Sequence, residues 1–288
     1  MRVSVIIPSF NAADTIAIQL EALANQQWSQ PWEVIISDNG STDNSMPIVE
    51  QYKTRIPNLL TIDSSDRKGP GHARNMGAKA AKGDALLFID ADDEVAPGWL
   101  AAMGEALTKY DFVAGRHELK KLNEPEILRW YELENNTGAV VESQYLPFAG
   151  AGNLGVKRSL HNAIGGFDGA LLLAEDVDYC WRIQQTGTKL RYVPEAIAHI
   201  RLRTSLIDAY KKAWKMGTCE ALLYKKHRPL GMPQMMTWKT FIKTAVILTF
   251  QMVCLQIRDQ ESLARWLMSF AWRAGQLQGC IKYRYLPI

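Results

Sequence analysis

The stretch Leu86–Glu94, LLFIDADDE, decides the fold class of this chain. Its apolar half, Leu86–Ile89, has the length and composition of a strand that is buried on both faces of a sheet. Four acidic residues follow within five positions, and open α/β sheets bind ligands at the carboxyl ends of their strands. Because such closely spaced carboxylates repel one another, we expect a hard divalent cation or several donors to neutralise them. The alternative interpretation is a solvated acidic turn before a helix that begins near Pro97.

Strands and helices alternate on both sides of this stretch. Apolar runs predict strands at Val3–Ile7, Glu33–Ser37, Leu59–Asp63, Ala85–Ile89 and Asp111–Gly115. Helical periodicity and cap residues predict helices at Asp14–Asn25, from Ser45 to about Arg55, at Gly69–Lys82 and at Pro97–Lys109. The alternation predicts an α/β fold with a mostly parallel, doubly wound sheet and right-handed crossovers.

Beyond Gly115 the alternation is weaker, and we predict further elements from shorter patterns. They are a helix at Leu119–Glu134, a strand-like segment at Gly150–Val156, helices at Lys157–Ile164 and Leu171–Gly187, and strands at Lys189–Val193 and Ala196–His199. From Thr204 onward the sequence predicts only helices.

Three polar clusters, Pro8–Asn11, Asp38–Ser41 and Asp90–Asp93, each come directly after a predicted strand. The carboxyl ends of parallel strands meet at one edge of a sheet, so we expect the three clusters to lie together. Asp38 could accept hydrogen bonds from a nucleobase, or it could form an Asx turn that caps the next helix.

The glycine pattern argues against a dinucleotide site. Pro8–Asn11 contains no glycine, and after Gly69-Pro70-Gly71 the third glycine of the dinucleotide fingerprint would fall at Arg74. Arg74 instead lies in the first turns of a predicted helix, where the helix N-terminus favours anions.

Two segments near the end of this region carry further candidate site residues. Glu175 and Asp176 begin a predicted helix, and either could act as a general base or serve as an acidic first turn. His199 could be structural or could be a metal ligand. Arg201 and Arg203 share one face of an extended segment and would suit a diphosphate.

Four segments in order, VIIPSFNA, SDNGSTDNS, ARNMGAKAAKGDALLFIDADDE and AEDVDYCWR, together resemble the inverting family 2 glycosyltransferases. The resemblance covers roughly residues 1–203 and implies the GT-A fold of nucleotide-diphospho-sugar transferases. It also implies a nucleotide-sugar donor and a Mn²⁺ or Mg²⁺ cofactor. Two features depart from the family pattern: the family often has Asn near Arg67-Lys68, and the extra Asp93 leaves the metal-binding carboxylate ambiguous.

The resemblance implies a role for each candidate residue. Asp176, with Glu175 beside it, would be the catalytic base. The metal would be held by Asp92, Asp93 and His199. The donor would be bound by Pro8, Ser9, Phe10, Asn11, Asp38, Arg67, Gly71, Arg74, Asp90, Ala91, Arg201 and Arg203.

The composition divides the chain into two parts. Residues 201–288 hold 15 Lys and Arg against four Asp and Glu, a balance of +11, within a chain whose net charge is only +3. We therefore predict a GT-A domain at residues 1–203 and a basic, Trp-containing helical extension at residues 204–288. The apolar run Thr244–Ile257 has 14 residues, fewer than the ~20 of a spanning helix, and predicts a buried or interfacial helix.

The sequence of the extension leaves two interpretations of what its helices contact. A basic amphipathic stretch with Trp214, Trp238, Trp266 and Trp272 is typical of helices at an anionic membrane surface. The alternative is packing on the first domain or on a second subunit, which would make the protein a homo-oligomer. We expect no nucleic-acid partner.

The 288 residues, 47% of them hydrophobic, fit a globular protein without low-complexity segments. The N-terminus reads as a strand and not as a signal peptide. The four cysteines are scattered, as in proteins of a reducing cytosol, so we expect a cytoplasmic protein, peripheral on the inner face of the membrane if the extension binds lipid.

These observations predict a metal-dependent glycosyltransferase that moves a sugar from a nucleotide-sugar donor to an acceptor hydroxyl with inversion. The acceptor would be a glycan or a lipid-linked molecule of polysaccharide, glycolipid or cell-envelope glycan synthesis. One alternative is a sugar nucleotidyltransferase, which would need a glycine-rich phosphate loop after the first strand. The other is a non-catalytic nucleotide-sugar-binding module, against which the full set of carboxylates argues.

Overall fold

The computed structural model describes residues 1–56, 58–133, 140–234 and 237–285, which divide into two compact units. We call Met1–Leu122 with Thr137–Arg201 the sheet unit, and Asn123–Asn136 with Leu202–Ile288 the helical unit. The boundary predicted after residue 203 lies close to the junction between Arg201 and Leu202. Composition gave no sign that residues 123–136 group with the C-terminal helices.

The strands are short and the helices of the helical unit are long. The strands are β1 (Val3–Ser9), β2 (Trp32–Asp38), β3 (Leu59–Asp63), β4 (Ala85–Phe88), β5 (Glu94–Val95), β6 (Phe112–Glu118), β7 (Val140–Val141), β8 (Phe148–Ala149), β9 (Leu154–Lys157) and β10 (Arg191–His199). The α-helices are α1 (Ile16–Ala24), α2 (Ser45–Gln51), α3 (Pro70–Ala80), α4 (Trp99–Lys109), α5 (Pro125–Trp130), α6 (Arg158–Ala163), α7 (Glu175–Gln185), α8 (Leu206–His227), α9 (Trp238–Val253) and α10 (Gln260–Lys282).

Eight strands form one sheet in the order β3-β2-β1-β4-β9-β6-β10-β5. The first four strands run parallel to one another, and β6 and β10 run parallel to each other, whereas β9 and β5 run antiparallel to the strands that they pair with. The predicted α/β class and the mostly parallel sheet are therefore confirmed. The two antiparallel strands make the sheet mixed.

The central strands are buried on both faces, which explains their unbroken apolar runs. Val5 and Ile7 of β1 pack into the cluster that contains Leu20 of α1 and Trp99 of α4. Ile6, between them, packs on the opposite face, in a cluster with buried side chains of α7. Covered strands of this kind place their polar ends at the sheet edge, where the acidic stretch begins.

Two predicted elements were wrong in extent. Among the described residues of 119–134 only Pro125–Trp130 is helical, because Pro125 fixes the first helical turn and cannot continue an earlier one; Glu134 itself lies outside the described residues. The predicted segment Gly150–Val156 is a 3₁₀ turn at Ala151–Asn153 that leads into β9.

The strands predicted at 189–193 and 196–199 are one strand, β10. Its pairing with β6 shifts register between Val193 and Ile197, as a β-bulge does. Pro194 lies in this irregular part, where a missing N–H interrupts no regular ladder. The sequence prediction had placed two separate strands on either side of Pro194 and Glu195.

The helical unit contains α5, α8, α9 and α10. Here α8 and α10 pack closely, and a Cβ added at Gly217, Gly275 or Gly279 would collide with the backbone of the facing helix. The prediction of helices alone after Thr204 is confirmed for the described residues, apart from a short 3₁₀ turn at Arg228–Leu230. Among them, no helix combines the length and the apolarity that crossing a bilayer requires.

Candidate active site

The turns after β1 and β2 are joined by hydrogen bonds, as their strand order predicts. Asn11 takes a left-handed backbone conformation, with φ of 48°, which asparagine tolerates better than most residues. Its N–H donates to Ser41 Oγ over 3.0 Å, and its Oδ1 accepts from the N–H of Thr42 over 2.8 Å. The first two polar clusters therefore form one surface at the sheet edge.

Within this surface Asp38 Oδ1 accepts the N–H of Ser41, three residues on, over 3.1 Å. The carboxylate therefore holds its own turn, but it does not cap α2, whose N-cap residue is Asn44. Pro8 and Ser9 belong to β1 and pair with Ser37 and Asp38 of β2. Ser9 is buried, and its Oγ has no hydrogen-bond partner among the described residues. Phe10, in contrast, is exposed.

Asn39, which the sequence analysis did not single out, holds the loop that leads to α3. Its Nδ2 donates to the carbonyls of Ser64 and Arg67, over 2.5 and 2.8 Å, and its Oδ1 accepts the N–H of Gly69 over 2.8 Å. The guanidinium of Arg67 in turn donates to the carbonyl of Gly169. Asn39 is buried and binds only backbone groups, so it fixes where α3 begins.

The acidic stretch after β4 forms a compact carboxylate cluster. One oxygen each of Asp90, Asp92 and Asp93 lies within 4.8 Å of the others. Burial, reinforced by the charges of Asp90 and Asp92, raises the pKa of Asp93 well above its usual range. We call these three residues the Asp triad. Three hard oxygen ligands at this spacing fit Mg²⁺ or Mn²⁺, and such an ion would relieve the mutual repulsion.

Arg201 bonds two members of the triad. Ala91, between Asp90 and Asp92 in the sequence, is buried. The backbone N–H of Arg201 donates to Asp93 Oδ1 over 2.9 Å, and its Nε donates to the carbonyl of Asp92 over 3.1 Å. The predicted ligand Asp93 therefore already has one oxygen engaged by the protein.

The structure does not bring every predicted residue to the triad. His199 is not part of the carboxylate group; its Nδ1 lies 2.7 Å from Glu118 Oε2. Arg203 belongs to the helical unit, where its carbonyl accepts the hydroxyl of Tyr131 over 3.0 Å.

Arg74 joins the triad to the carboxylate pair of α7. Its Nη2 lies 2.6 Å from Asp90 Oδ1, and its Nη1 lies 2.8 Å from Glu175 Oε1. Burial alone would lower the pKa of Arg74, but the charges of Asp90 and Glu175 hold it above its ordinary value. Gly71, one turn before, allows this approach, because a Cβ there would lie 3.2 Å from Glu175 Cγ.

Asp176 and Glu175 have different surroundings, as adjacent positions on a helix require. Burial raises the pKa of both carboxyls, and the nearby Arg74 opposes that rise. Only Glu175 bonds the guanidinium directly, whereas Asp176 Oδ1 accepts the N–H of Val177 over 2.8 Å. Asp176 is thus a carboxylate with a raised pKa that is not tied to a cation, which suits a general base.

Glycines on the loop before β9 let the backbone approach both groups of carboxylates. A Cβ added at Gly152 would lie 3.1 Å from Asp93 Oδ2 and 3.2 Å from Asp90 Oδ2. A Cβ at Gly150 would lie 3.8 Å from Asp176 Oδ2. Side chains at these positions would intrude on the carboxylates.

His117 of β6 is the second residue that sequence reasoning missed. Its Cε1 would lie 3.3 Å from a Cβ at Gly150, on the side where Asp176 lies. Burial lowers the pKa of His117 to about 4, although the charge of Asp90 opposes this. Its Nε2 is buried and bonds no other described residue. A lone histidine in a strand carries no motif, so only the register of β6 could have identified it.

Comparisons with known proteins agree with this geometry. Residues 4–165, more than half of the chain, match the family described as Glycosyl transferase family 2. The glycosyltransferase AglE of Haloferax volcanii is 29% identical over 198 residues, which are 68% of this chain and 65% of AglE. The chain spans less than two thirds of the length of this and the next curated relatives that it matches.

Two solved structures show the same fold at low sequence identity. The mannosyltransferase PcManGT of Pyrobaculum calidifontis, in complex with GDP-Man and Mn²⁺, aligns with a TM-score of 0.66 and 17% identity, over 98% of this chain and 87% of that one. TarS 1-349 of S. aureus, in complex with UDP-GlcNAc, aligns with a TM-score of 0.55 and 18% identity, over 99% and 93%. The family match over residues 4–165, together with the fold, shows that this chain is a family 2 glycosyltransferase of GT-A fold.

Proposed function

We propose that the protein transfers a sugar from a nucleotide-sugar donor to an acceptor hydroxyl, with inversion at the anomeric carbon and with Mn²⁺ or Mg²⁺ as cofactor. The observation that carries this proposal is the convergence of the Asp triad, Arg74 and the Glu175–Asp176 pair at one sheet edge. The bound GDP-Man with Mn²⁺ in PcManGT and UDP-GlcNAc in TarS support the donor class.

Asp176 is the base in this proposal. Its carboxylate takes the proton of the acceptor hydroxyl as that oxygen attacks the anomeric carbon and the bond to the diphosphate oxygen breaks. Glu175 is unsuited to this task because Arg74 holds its Oε1 at 2.8 Å. Glu175 instead positions Arg74, and through it Asp90.

Asp92, with Asp93 beside it, would hold the metal, and the ion would supply charge stabilisation for the departing nucleoside diphosphate. Arg201 supports these residues through Asp93 and the carbonyl of Asp92. His199 stays in the proposal as the third metal ligand that the sequence predicted, although its Nδ1 lies against Glu118.

The donor's nucleoside would lie on the surface formed by the turns after β1 and β2. Asp38 would accept a base N–H with the carboxylate capacity that its bond to Ser41 leaves over. Ser9 has a buried hydroxyl without a described partner, and the exposed ring of Phe10 could stack on a base. Arg67, Gly71 and Ala91 would line the same pocket.

The test is a thermal-shift screen of nucleoside diphosphates with and without Mn²⁺, followed by a donor-hydrolysis assay. A ligand that binds the folded state raises the apparent melting temperature, so the preferred nucleotide identifies itself. We expect Asp92→Asn to keep the fold and to lose metal-dependent donor binding. Metal dependence that survives Asp92→Asn unchanged would contradict the metal assignment. If none of the nucleoside diphosphates raises the melting temperature, the donor class is contradicted.

We also propose that the basic helical unit holds the enzyme on the inner face of the cytoplasmic membrane, near a lipid-linked or envelope-glycan acceptor. Its support is the +11 balance of residues 201–288 and the exposed lysines Lys211, Lys212 and Lys215 on α8. Each such residue contributes about 1 kcal/mol near an anionic surface. The purified protein should therefore sediment with anionic vesicles at low salt and less at high salt, since salt screens surface charges. Absence of binding at low salt would leave homo-oligomerisation as the role of the extension.

A further inference from the structure

The helix α9 exposes a continuous strip of large apolar side chains. Trp238, Ile242, Val246, Phe250 and Val253 recur at spacings of four and three residues, so they lie along one side of the helix. Each is between 50% and 73% exposed. We call these five residues the α9 strip. Contiguous apolar surface of this kind is unusual on a soluble protein and marks an interaction site.

The opposite side of α9 is already packed within the helical unit. Phe241 and Leu248 are buried there, and Trp266 Nε1 of α10 donates to the carbonyl of Leu248 over 3.0 Å. A capping box between Thr237 and Thr240 fixes the first turn. The helix is therefore a formed and anchored element whose apolar strip faces away from its own packing.

The charges on α9 indicate what covers the strip. The helix contains Lys239 and Lys243, both exposed, and no Asp or Glu. A second copy of α9 would present the same apolar residues and the same positive charges, without a carboxylate to pair with them. An anionic lipid surface complements both features, because its interior accepts the apolar strip and its headgroups attract the lysines.

We propose that α9 lies in the interface of an anionic membrane, with the α9 strip at the boundary of headgroups and acyl chains. This inference rests on the membrane association proposed above and deepens it by assigning the inserting element. The 16-residue helix, about 24 Å long, would lie parallel to the surface and would not span it. Trp238 suits this depth because its ring is apolar and its N–H is polar, and the lysine stems extend toward the headgroups.

The proposal assigns different contributions to membrane binding to α8 and α9. Lys211, Lys212 and Lys215 act through charge alone, so their attraction weakens as salt is added. The α9 strip acts through burial of apolar surface, which salt does not screen. Binding should therefore have a salt-sensitive part assigned to α8 and a salt-resistant part assigned to α9.

The chain offers a native reporter for insertion. Cys254 follows α9 directly and is exposed, whereas Cys180, Cys219 and Cys280 are buried. An environment-sensitive fluorophore attached to Cys254 in the full-length protein should shift its emission to the blue on vesicles that contain phosphatidylserine. Pure phosphatidylcholine vesicles at the same lipid concentration should give little shift.

The decisive variant is Ile242→Gln with Phe250→Gln. We expect it to lower vesicle affinity at high salt at least ~10-fold, since two side chains no longer leave water on binding, and to abolish the fluorophore shift. The matched control is Ile281→Gln on α10, which removes a side chain that is 81% exposed but lies off the strip. The control should bind and shift like the parent, and all variants should keep the parent's donor hydrolysis and circular dichroism.

Three results would overturn the inference, and they differ from one another. Unchanged binding and shift in Ile242→Gln/Phe250→Gln would show that α9 does not insert, while leaving charge-driven association intact. A dimer in lipid-free sedimentation that this variant abolishes would assign the strip to a second copy. Failure of the parent protein to bind phosphatidylserine vesicles at low salt would remove the proposed membrane association as well.

Discussion

Arginine–glutamate pairs occur in both units of this chain, in opposite environments. In the sheet unit Arg74 is 4% exposed and bonds Glu175 and Asp90, whereas in the helical unit Arg129 is 41% exposed and bonds Glu261 over 2.9 Å. The sheet unit buries charge at its edge and packs the apolar residues of its central strands into two clusters. The helical unit exposes both charge and apolar side chains. In the first, unusual burial marks the candidate site; in the second, unusual exposure does.

The largest expected effect is on sugar transfer. It compares an acidic residue in the first turn of a helix in each unit. Asp176 lies in the first turn of α7, and Asp208 lies in the first turn of α8. Asp176→Asn should keep donor binding and lower sugar transfer by ~10²-fold or more, the usual contribution of a general base. Asp208→Asn should leave transfer unchanged. Steady-state transfer assays with isothermal titration of the donor separate these outcomes, and a Glu175→Gln variant more damaged in turnover than Asp176→Asn would reverse the assignment within the pair.

The next effect is on the free energy of unfolding and concerns Arg74 and Arg129, which each pair with carboxylates in their own unit. Arg74→Gln removes the cation from two carboxylates, and breaking a buried ion pair in this way costs about 3–5 kcal/mol. Arg129→Gln breaks a surface pair and should change the free energy of unfolding by less than about 1 kcal/mol. Urea unfolding of both variants measures the difference. Equal losses would mean that the two environments are not as different as their exposures indicate.

A smaller effect depends on pH and has opposite signs in the two units. The pKa of Asp93 is raised by burial, so its proton favours the folded state and ionisation above that pKa destabilises it. Without metal, Asp93→Asn should therefore raise the melting temperature at pH 7, and the gain should shrink as the pH falls through the raised pKa.

Asp259, the N-cap of α10, behaves in the opposite way. Hydrogen bonds from Ser262 lower its pKa, so it stabilises the folded state above the unfolded pKa and loses this as the pH falls through the folded one. Asp259→Asn should lower the melting temperature at pH 7, and the loss should shrink as the pH falls from the unfolded pKa through the lowered folded pKa. Melting curves that respond to both substitutions with the same sign of pH dependence would contradict the comparison.

The smallest effect concerns two non-glycine residues with left-handed backbone. Ala174, buried before α7, has φ of 60°, and exposed Leu255, after α9, has φ of 50°. Glycine adopts this conformation without the Cβ conflict, so each glycine variant should gain less than about 1 kcal/mol. Because Ala174 directly precedes Glu175 and the proposed base Asp176, only Ala174→Gly should also change the transfer rate. Calorimetry and turnover measurements on the two variants test this.

The sequence predicted well what depends on local pattern. The apolar runs of β1 and β4 and the acidic stretch at 90–94 located the sheet edge, because buried parallel strands and their polar ends have a distinctive composition. Two of the predictions that were wrong in extent lie at prolines. Pro125 begins a six-residue helix, and Pro194 lies in a bulge of one long strand.

What the sequence could not predict depends on contacts between distant segments. His117 carries no motif, and Asn39 was one member of a polar cluster without a role of its own. Their contacts become recognisable only when β6 lies beside the Gly150 loop and when the turn after β2 meets the loop before α3. The link from Arg74 to Glu175 joins residues 101 positions apart. The resemblance had already favoured Asp176 over Glu175 as the base, and that link supplies the physical reason, because Glu175 and not Asp176 bonds Arg74.

The shared partner of Asp90 and Glu175 has a consequence for how this site can change over generations of mutation. Replacing either carboxylate by its amide leaves Arg74 one bonded carboxylate, but replacing both leaves a buried cation that bonds neither, with only the more distant charge of Asp176 nearby. The two substitutions together should therefore cost more than their separate effects added. A library that samples either position singly will yield viable variants that fail when combined, so the route to a new specificity at this site must replace Arg74 first or at the same time.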